Sequence, residues 1–227
     1  MTMSEQWADR TVAVLGGTGP QGRGLARRFA AAGVSVVLGS RDAGRAADVA
    51  ATLTASIGAG SASVTGATNA DAAAAGDIVL VAVPWDGHRE LLVELAPSLA
   101  GKIVVDCVNP LGFDKQGAYA LPVEEGSAAQ QARAVLPESV VTAAFHHVSA
   151  VLLEDPEVES VDTDVLVLGD DREATDLVQE LASAIPGVRG VYGGRLRNAH
   201  QVEALTANLI SVNRRYKVHA GLRVTDL

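Results

Sequence analysis

The stretch "VAVLGGTGPQGRG", residues 12–24, decides the fold: an apolar run passes into glycines at 17, 19 and 22, with a helix opening at Pro20. G-x-G-x-x-G placed directly after a strand and directly before a helix is the loop that holds the pyrophosphate of a dinucleotide. Gly17 permits the tight turn, Gly19 lets the backbone approach the phosphates, and Gly22 lets the helix lie close on the strand. Thr18, Pro20 and Gln21 complete the loop, and Pro20 at the helix start leaves the following amides aimed at the phosphates.

Working outward, short β-branched runs alternate with alanine-rich stretches: "TVAVLG" (11–16), "VSVVLGS" (34–40), "DIVLVAVP" (77–84), "KIVVDCVNP" (102–110) and "SVVTAAF" (139–145). Continuous apolar strands without alternation belong to a sheet covered on both faces. Helices are expected near 21–32, 43–55 and 87–99, with Gly33 ending the first and Gly101 following the third. The pattern predicts a Rossmann-type, doubly wound parallel α/β sheet.

The segment between the second and third long strands reads as a loop, a short strand at 63–66 and a small helix capped by Asn69. Residues 109–137 read as a loop running into a helix near 124–135. After residue 146 come a strand (164–169), a helix (171–185), a short strand (188–193) and a long helix from Asn198 with a stop at Gly221. The expected organisation is therefore a Rossmann domain over 1–146 and a smaller C-terminal α/β lobe over 147–227. In the last helix Val202, Leu205, Leu209, Val212 and Tyr216 form one apolar stripe, which needs a cover. That cover is either the chain's own sheet or a second copy, and a homodimer is the expectation.

The 227 residues include one cysteine, Cys107, which has no intrachain partner. No cleavable leader and no run long enough to span a bilayer is visible, so a cytoplasmic protein without a membrane partner is expected. The net charge of −9 argues against nucleic acid as a partner. From Arg189 onward, however, seven basic residues face two acidic ones. Either something anionic meets this tail, or its arginines pair with carboxylates of the acidic body.

The end of the second strand selects the nucleotide. Where an NAD site places Asp or Glu on the ribose hydroxyls, this chain reads Gly39-Ser40-Arg41-Asp42, with Arg45 one turn on. A hydroxyl and two guanidiniums suit a 2′-phosphate, so NADP(H) is expected, unless Asp42 rather than Arg41 faces the ribose.

Conventional catalytic groupings are missing. There is no nucleophile elbow and no metal-ligand spacing, so no metal is expected. His146 and His147 follow a strand and should point to opposite faces, one of them toward the cleft at the carboxyl edge of the sheet. Hydride transfer between two bound cofactors needs mainly juxtaposition and so fits such a site.

From "VAVLGGTGPQGRGLARRFA" through "LGSRD", "VAVPWD", "VVDCVNPL" and "AAFHHVSA" to "VEALTANLISVNRRY", the chain resembles the F420-dependent NADP oxidoreductase family. The resemblance implies NADP along the glycine loop, with Ser40, Arg41 and Arg45 on the 2′-phosphate and Val83, Pro84 and Trp85 beside the ribose and nicotinamide. It places coenzyme F420 against the nicotinamide near Thr18, Asn109, His146 and Val148, with His146 as the catalytic candidate for proton transfer. Since F420 carries a phosphate and glutamates, Arg195, Arg197, Arg214 and Arg215 become candidates for its tail. Two other readings remain open: an NADP-dependent reductase of a small carbonyl or imine, and a non-catalytic NADP-binding sensor.

Overall fold

A computed structural model describes residues 7, 9–58 and 60–227. In chain order the elements are β1 (Thr11–Leu15), α1 (Pro20–Ala31), β2 (Ser35–Ser40), α2 (Ala43–Ser56), β3 (Val64–Thr68), α3 (Asn69–Ala75) and β4 (Ile78–Val81). There follow α4 (His88–Leu99), β5 (Ile103–Asp106), β6 (Leu111–Asp114), β7 (Gly117–Ala120), α5 (Ala128–Val135), β8 (Val140–Ala143) and α6 (Ala150–Glu154). The chain closes with β9 (Thr163–Gly169), α7 (Arg172–Ser183), β10 (Val188–Gly194), a short 3-10 turn (Leu196–Asn198) and α8 (Ala199–Tyr216).

One sheet of eight strands runs in the order β10-β9-β8-β5-β4-β1-β2-β3. From β3 to β8 every pairing is parallel, as doubly wound topology requires. β9 then turns back antiparallel to β8, with Ala143 opposite Leu168, and β10 pairs parallel to β9. Residues 147–227 therefore extend the main sheet rather than forming a sheet of their own.

The alternation of strand side chains feeds two apolar layers. Val12 and Val14 face the layer built by α1, α2, α6 and α7, with Leu25, Phe29, Leu153 and Leu181 in it. Ala13 and Leu15 face the layer under α3, α4, α5 and α8, with Leu92, Leu95, Ala132 and Val202. Both layers draw on the two sides of residue 146, so the core is continuous along the sheet.

Local chemistry explains where the elements differ from expectation. Thr68, not Asn69, caps α3, its hydroxyl accepting from the Asp71 amide at 3.1 Å. The segment after Pro110 is not a plain loop but the hairpin β6–β7, whose turn is fixed by Asp114 Oδ1 accepting from the Gln116 amide at 2.7 Å. Ser127 sets the start of α5, and α8 ends at Lys217 in a left-handed conformation (φ 55°) rather than at Gly221. Among the described residues no helix is long and apolar enough to cross a membrane.

Candidate active site

A cleft of about 650 Å³ opens at the carboxyl edge of β1, β2 and β4. Thr18, Gly19, Pro20 and Gln21 line one side, Ser40, Arg41 and Arg45 the second, and Val83 and Pro84 the third. Gly17 and Gly22 lie beneath it: a Cβ on Gly22 would stand 2.7 Å from Gly17 Cα, so the close helix–strand contact excludes a side chain. Side chains cap α2, α3, α5, α6 and α7, but none caps α1. The first-turn amides of α1 and its positive dipole end therefore face an open cleft suited to an anion.

Asp42 lines the cleft beside Arg41, but one of its oxygens is engaged: Oδ1 accepts from the Arg45 amide at 3.0 Å, capping α2, while Arg41 and Arg45 remain exposed on the cleft wall. A hydroxyl and two free guanidiniums thus stand where the 2′-phosphate of NADP would sit, and the donor set fits that group.

A second cluster lies beside this cleft. Asn109 Nδ2 donates to the His146 carbonyl at 2.8 Å, and Thr206 Oγ1 sits 3.1 Å from the same oxygen and 3.3 Å from Asn109 Oδ1. Gln21, which lines the cleft, donates through Nε2 to the Phe145 carbonyl at 3.2 Å and so ties the glycine loop to this cluster.

Phe145 adopts φ 64°, an uncommon conformation for a bulky residue, and its ring packs edge-on against Phe29 at 5.9 Å. The strand alternation expected for the two histidines stops there, and both turn inward. The His147 Nε2 proton goes to the Asp164 carbonyl at 2.7 Å, which makes it a packing residue. His146 is only 4% exposed; neither ring nitrogen makes a well-aligned hydrogen bond, and the nearest polar groups are the backbone of Cys107 and Val108. Burial, set against the nearby Asp106 carboxylate, pulls its pKa down to about 4, so the ring is neutral at pH 7. Val148 lies in the apolar core, and Trp85 is half-buried with its ring 5.5 Å from that of His88.

These features coincide with the comparisons. The family described as "NADP oxidoreductase coenzyme F420-dependent" matches residues 11–110. The F420-dependent NADP reductase of Methanothermobacter thermautotrophicus is 41% identical over 95% of both chains. That of Methanocaldococcus jannaschii is 39% identical, covering 95% of this chain and 98% of its own. The chain belongs to the F420-dependent NADP reductase family. A crystal structure from Arthrobacter sp. FB24, assigned as an F420-dependent NADP reductase, superposes with a TM-score of 0.80 at 26% identity, covering 95% of this chain and 99% of its own.

In this member of the F420-dependent NADP reductase family the basic tail is divided by the sheet. Arg189 and Arg223 point inward onto Asp164, whose carboxylate is buried, with Arg189 Nε at 2.7 Å. Arg195 follows β10 on the outer strand of the sheet, 3.8 Å from Asp170, and Arg197 lies on the turn beside it. Neither lines the cleft, which opens at β1, β2 and β4, five strand positions from β10. Arg214 and Arg215, two turns beyond Thr206 on α8, instead line a depression of about 570 Å³ against β6–β7, with Phe113 and Ile210.

Three contributors escaped sequence reasoning. Asn69 Oδ1 accepts from the Gly16 amide at 3.3 Å and lines the cleft, Arg23 binds the Thr18 carbonyl at 2.8 Å, and Thr206 joins Asn109 to His146. Each acts through contacts distant in sequence; only the polar interruption of the stripe on α8 marks Thr206 in the sequence.

Proposed function

We propose that this chain transfers hydride directly and reversibly between NADP(H) and coenzyme F420. NADPH supplies the hydride to the deazaflavin carbon, and one proton from solvent completes the reduction. The observation that carries the reading is the full-length similarity to F420-dependent NADP reductases, joined to a cleft whose wall offers Ser40, Arg41 and Arg45.

The residues then divide the work. The open amides of α1 hold the pyrophosphate, and Ser40, Arg41 and Arg45 hold the 2′-phosphate. Val83, Pro84 and Trp85 flank the nicotinamide half, and Thr18 stands where the two cofactors meet. Asn109, His146 and Val148 belong to the F420 side. His146, neutral at pH 7, serves there as a hydrogen-bond partner through its ring nitrogens and not as a charged acid. Rate arises from juxtaposition rather than from an acid–base array.

Residues 1–146 carry NADP, and residues 147–227 supply the remaining wall. Arg214 and Arg215 receive the anionic tail of F420; Arg195 and Arg197 line neither the cleft nor the depression against β6–β7. The working form is a cytoplasmic homodimer, supported by a stripe on α8 in which Leu205, Leu209 and Val212 stay half-buried and Tyr216 is 69% exposed. The protein mixed with NADPH and F420 is expected to bleach the visible absorbance of the oxidised deazaflavin. Reduction of an imine or carbonyl with F420 ignored, or NADP binding without turnover, would contradict the reading.

A further inference from the structure

A chain of polar groups crosses the mainly apolar layer between the sheet and helices α4 and α5. Asp106, the last residue of β5, and His88, the first of α4, are both 0% exposed, with Asp106 Oδ2 2.6 Å from His88 Nε2. His88 Nδ1 lies 3.0 Å from Gln131 Oε1, and Gln131 Nε2 donates to Glu125 at 3.1 Å. Arg89 closes the chain at the surface by pairing with Glu125 at 2.5 Å. Burial pulls the His88 pKa down, but Asp106 and Gln131 outweigh it, and the net direction is up.

Packing alone does not account for this pair. Two buried ionic groups cost desolvation, and apolar side chains of similar volume stabilise a core as well or better. What an apolar pair lacks is direction. Asp106 Oδ1 accepts from the Val108 amide at 3.0 Å, an Asx-type turn that bends the chain as it leaves β5. That bend delivers Asn109 to the His146 carbonyl. From the other side, buried Glu203 on α8 accepts from the amides of Ala128 and Ala129 at 2.9 and 3.2 Å, bracing the helix that carries Gln131. One turn on, the same helix presents Thr206 to Asn109 and His146.

We propose that His88 and Asp106 are positioning residues for the F420 side of the cleft: they lock the turn at 106–108 that aims Asn109 at His146. Neither touches a cofactor; both act through the backbone of Val108 and the side chain of Asn109. The inference rests on the functional reading above, because it assigns the Asn109–His146 cluster to F420. The glycine loop is held mainly by Asn69, Arg23 and the helix α1, with Gln21 reaching the Phe145 carbonyl, while His88 touches the NADP side only through the Trp85 ring at 5.5 Å; the pair is therefore expected to affect NADP binding less than F420 binding.

The test compares a His88→Leu/Asp106→Leu double variant with wild type, Asp106→Asn and Leu99→Ala. Leu99 lies in the same apolar layer at the far end of α4. Calorimetry reads the affinity for NADP+, then the affinity of the NADP+-loaded protein for oxidised F420, a complex that cannot turn over; melting curves and kcat complete the set. The double variant is expected to fold and to keep its NADP+ affinity within about twofold, while F420 affinity and kcat fall about tenfold or more, as a displaced binding group produces. Asp106→Asn still accepts the Val108 amide and is expected to recover most of that loss. Leu99→Ala is expected to lower the Tm and leave F420 affinity unchanged.

Wild-type F420 affinity in the double variant would overturn the proposal, as would an equal loss in Leu99→Ala or a parallel fall in NADP+ affinity. Should the double variant not fold, Asp106→Ala makes the same comparison. A wild-type protein that binds NADP+ but no F420 would overturn the functional reading as well, and so separates the two failures.

Discussion

In the proposed function Arg41 and Arg45 carry the choice of nucleotide, since Asp42 Oδ1 caps α2 while both guanidiniums stand exposed on the cleft wall. Arg41→Ala together with Arg45→Ala should raise the KM for NADP about a hundredfold while changing that for NAD little, since two charge-assisted contacts to phosphate are removed. Equal effects on both nucleotides would reject the assignment. His146 is testable through stability. Its folded pKa of about 4 lies below its ordinary value of 6.5, so the unfolded chain binds a proton that the folded chain refuses. Its contribution is fully present above pH 6.5 and is lost as pH falls toward 4, by about 3 kcal/mol. Glu203, raised by burial to about 7, adds a slope of opposite sign, which cancels when a variant at His146 is compared with wild type. The Tm gap between His146→Asn and wild type should therefore shrink on acidification from pH 6.5 to 4; a constant gap would contradict the burial argument. At this scale the placement of the glycine loop, Ser40, Arg41 and Arg45 around one cleft was legible, because it follows from local spacing. The inward turn of both histidines was not, because it depends on the positive φ of Phe145, a conformation held by Phe29 and Gln21 from far away in sequence.

Helix α8 runs from the outer strand of the sheet past the His146 cluster, and this explains how one basic tail holds three kinds of arginine. Starting just after Arg195, which faces Asp170, it passes Glu203 and Thr206, and roughly 12 Å beyond Thr206 it reaches Arg214. Neutralising Arg214 and Arg215 to Gln should weaken F420 binding several-fold at low salt, with the difference shrinking as ionic strength rises. The same change at Arg195 and Arg197 should leave binding unchanged; a loss there would place the tail of F420 elsewhere. Sequence periodicity found α8, its stripe and every strand of the parallel core, because these are repeating patterns. It missed the hairpin β6–β7, where small and polar residues carry no alternation and Asp114 alone fixes the turn. A count of charges also could not tell that Arg189 and Arg223 belong to Asp164, since that needs the pairing of β9 with β10.

Across the whole molecule the reversal at β9 brings the C-terminal segment back to the carboxyl edge of the sheet. Asp164 secures it: Arg189, Arg223 and the Val224 amide all bind its buried carboxylate, and together they hold its pKa far below the usual range. Asp164→Ala removes the carboxylate that Arg189, Arg223 and the Val224 amide share, leaving Arg223 only Asp162, and should lower the Tm, with early proteolysis of the last ten residues. A Tm unchanged by that substitution would show the segment to be held by other contacts. The parallel order of β1–β5 and β8 follows from the alternation of apolar runs with helices; the antiparallel extension does not, because a strand's direction leaves no mark on its composition. The central claim is that this sheet edge brings nicotinamide and deazaflavin face to face for direct transfer. The measurement is single turnover of F420 with NADPH deuterated at the transferring C4 position, read by mass spectrometry of the reduced deazaflavin. Direct transfer predicts one deuterium retained on the deazaflavin carbon, whereas a product carrying only solvent hydrogen there would contradict it.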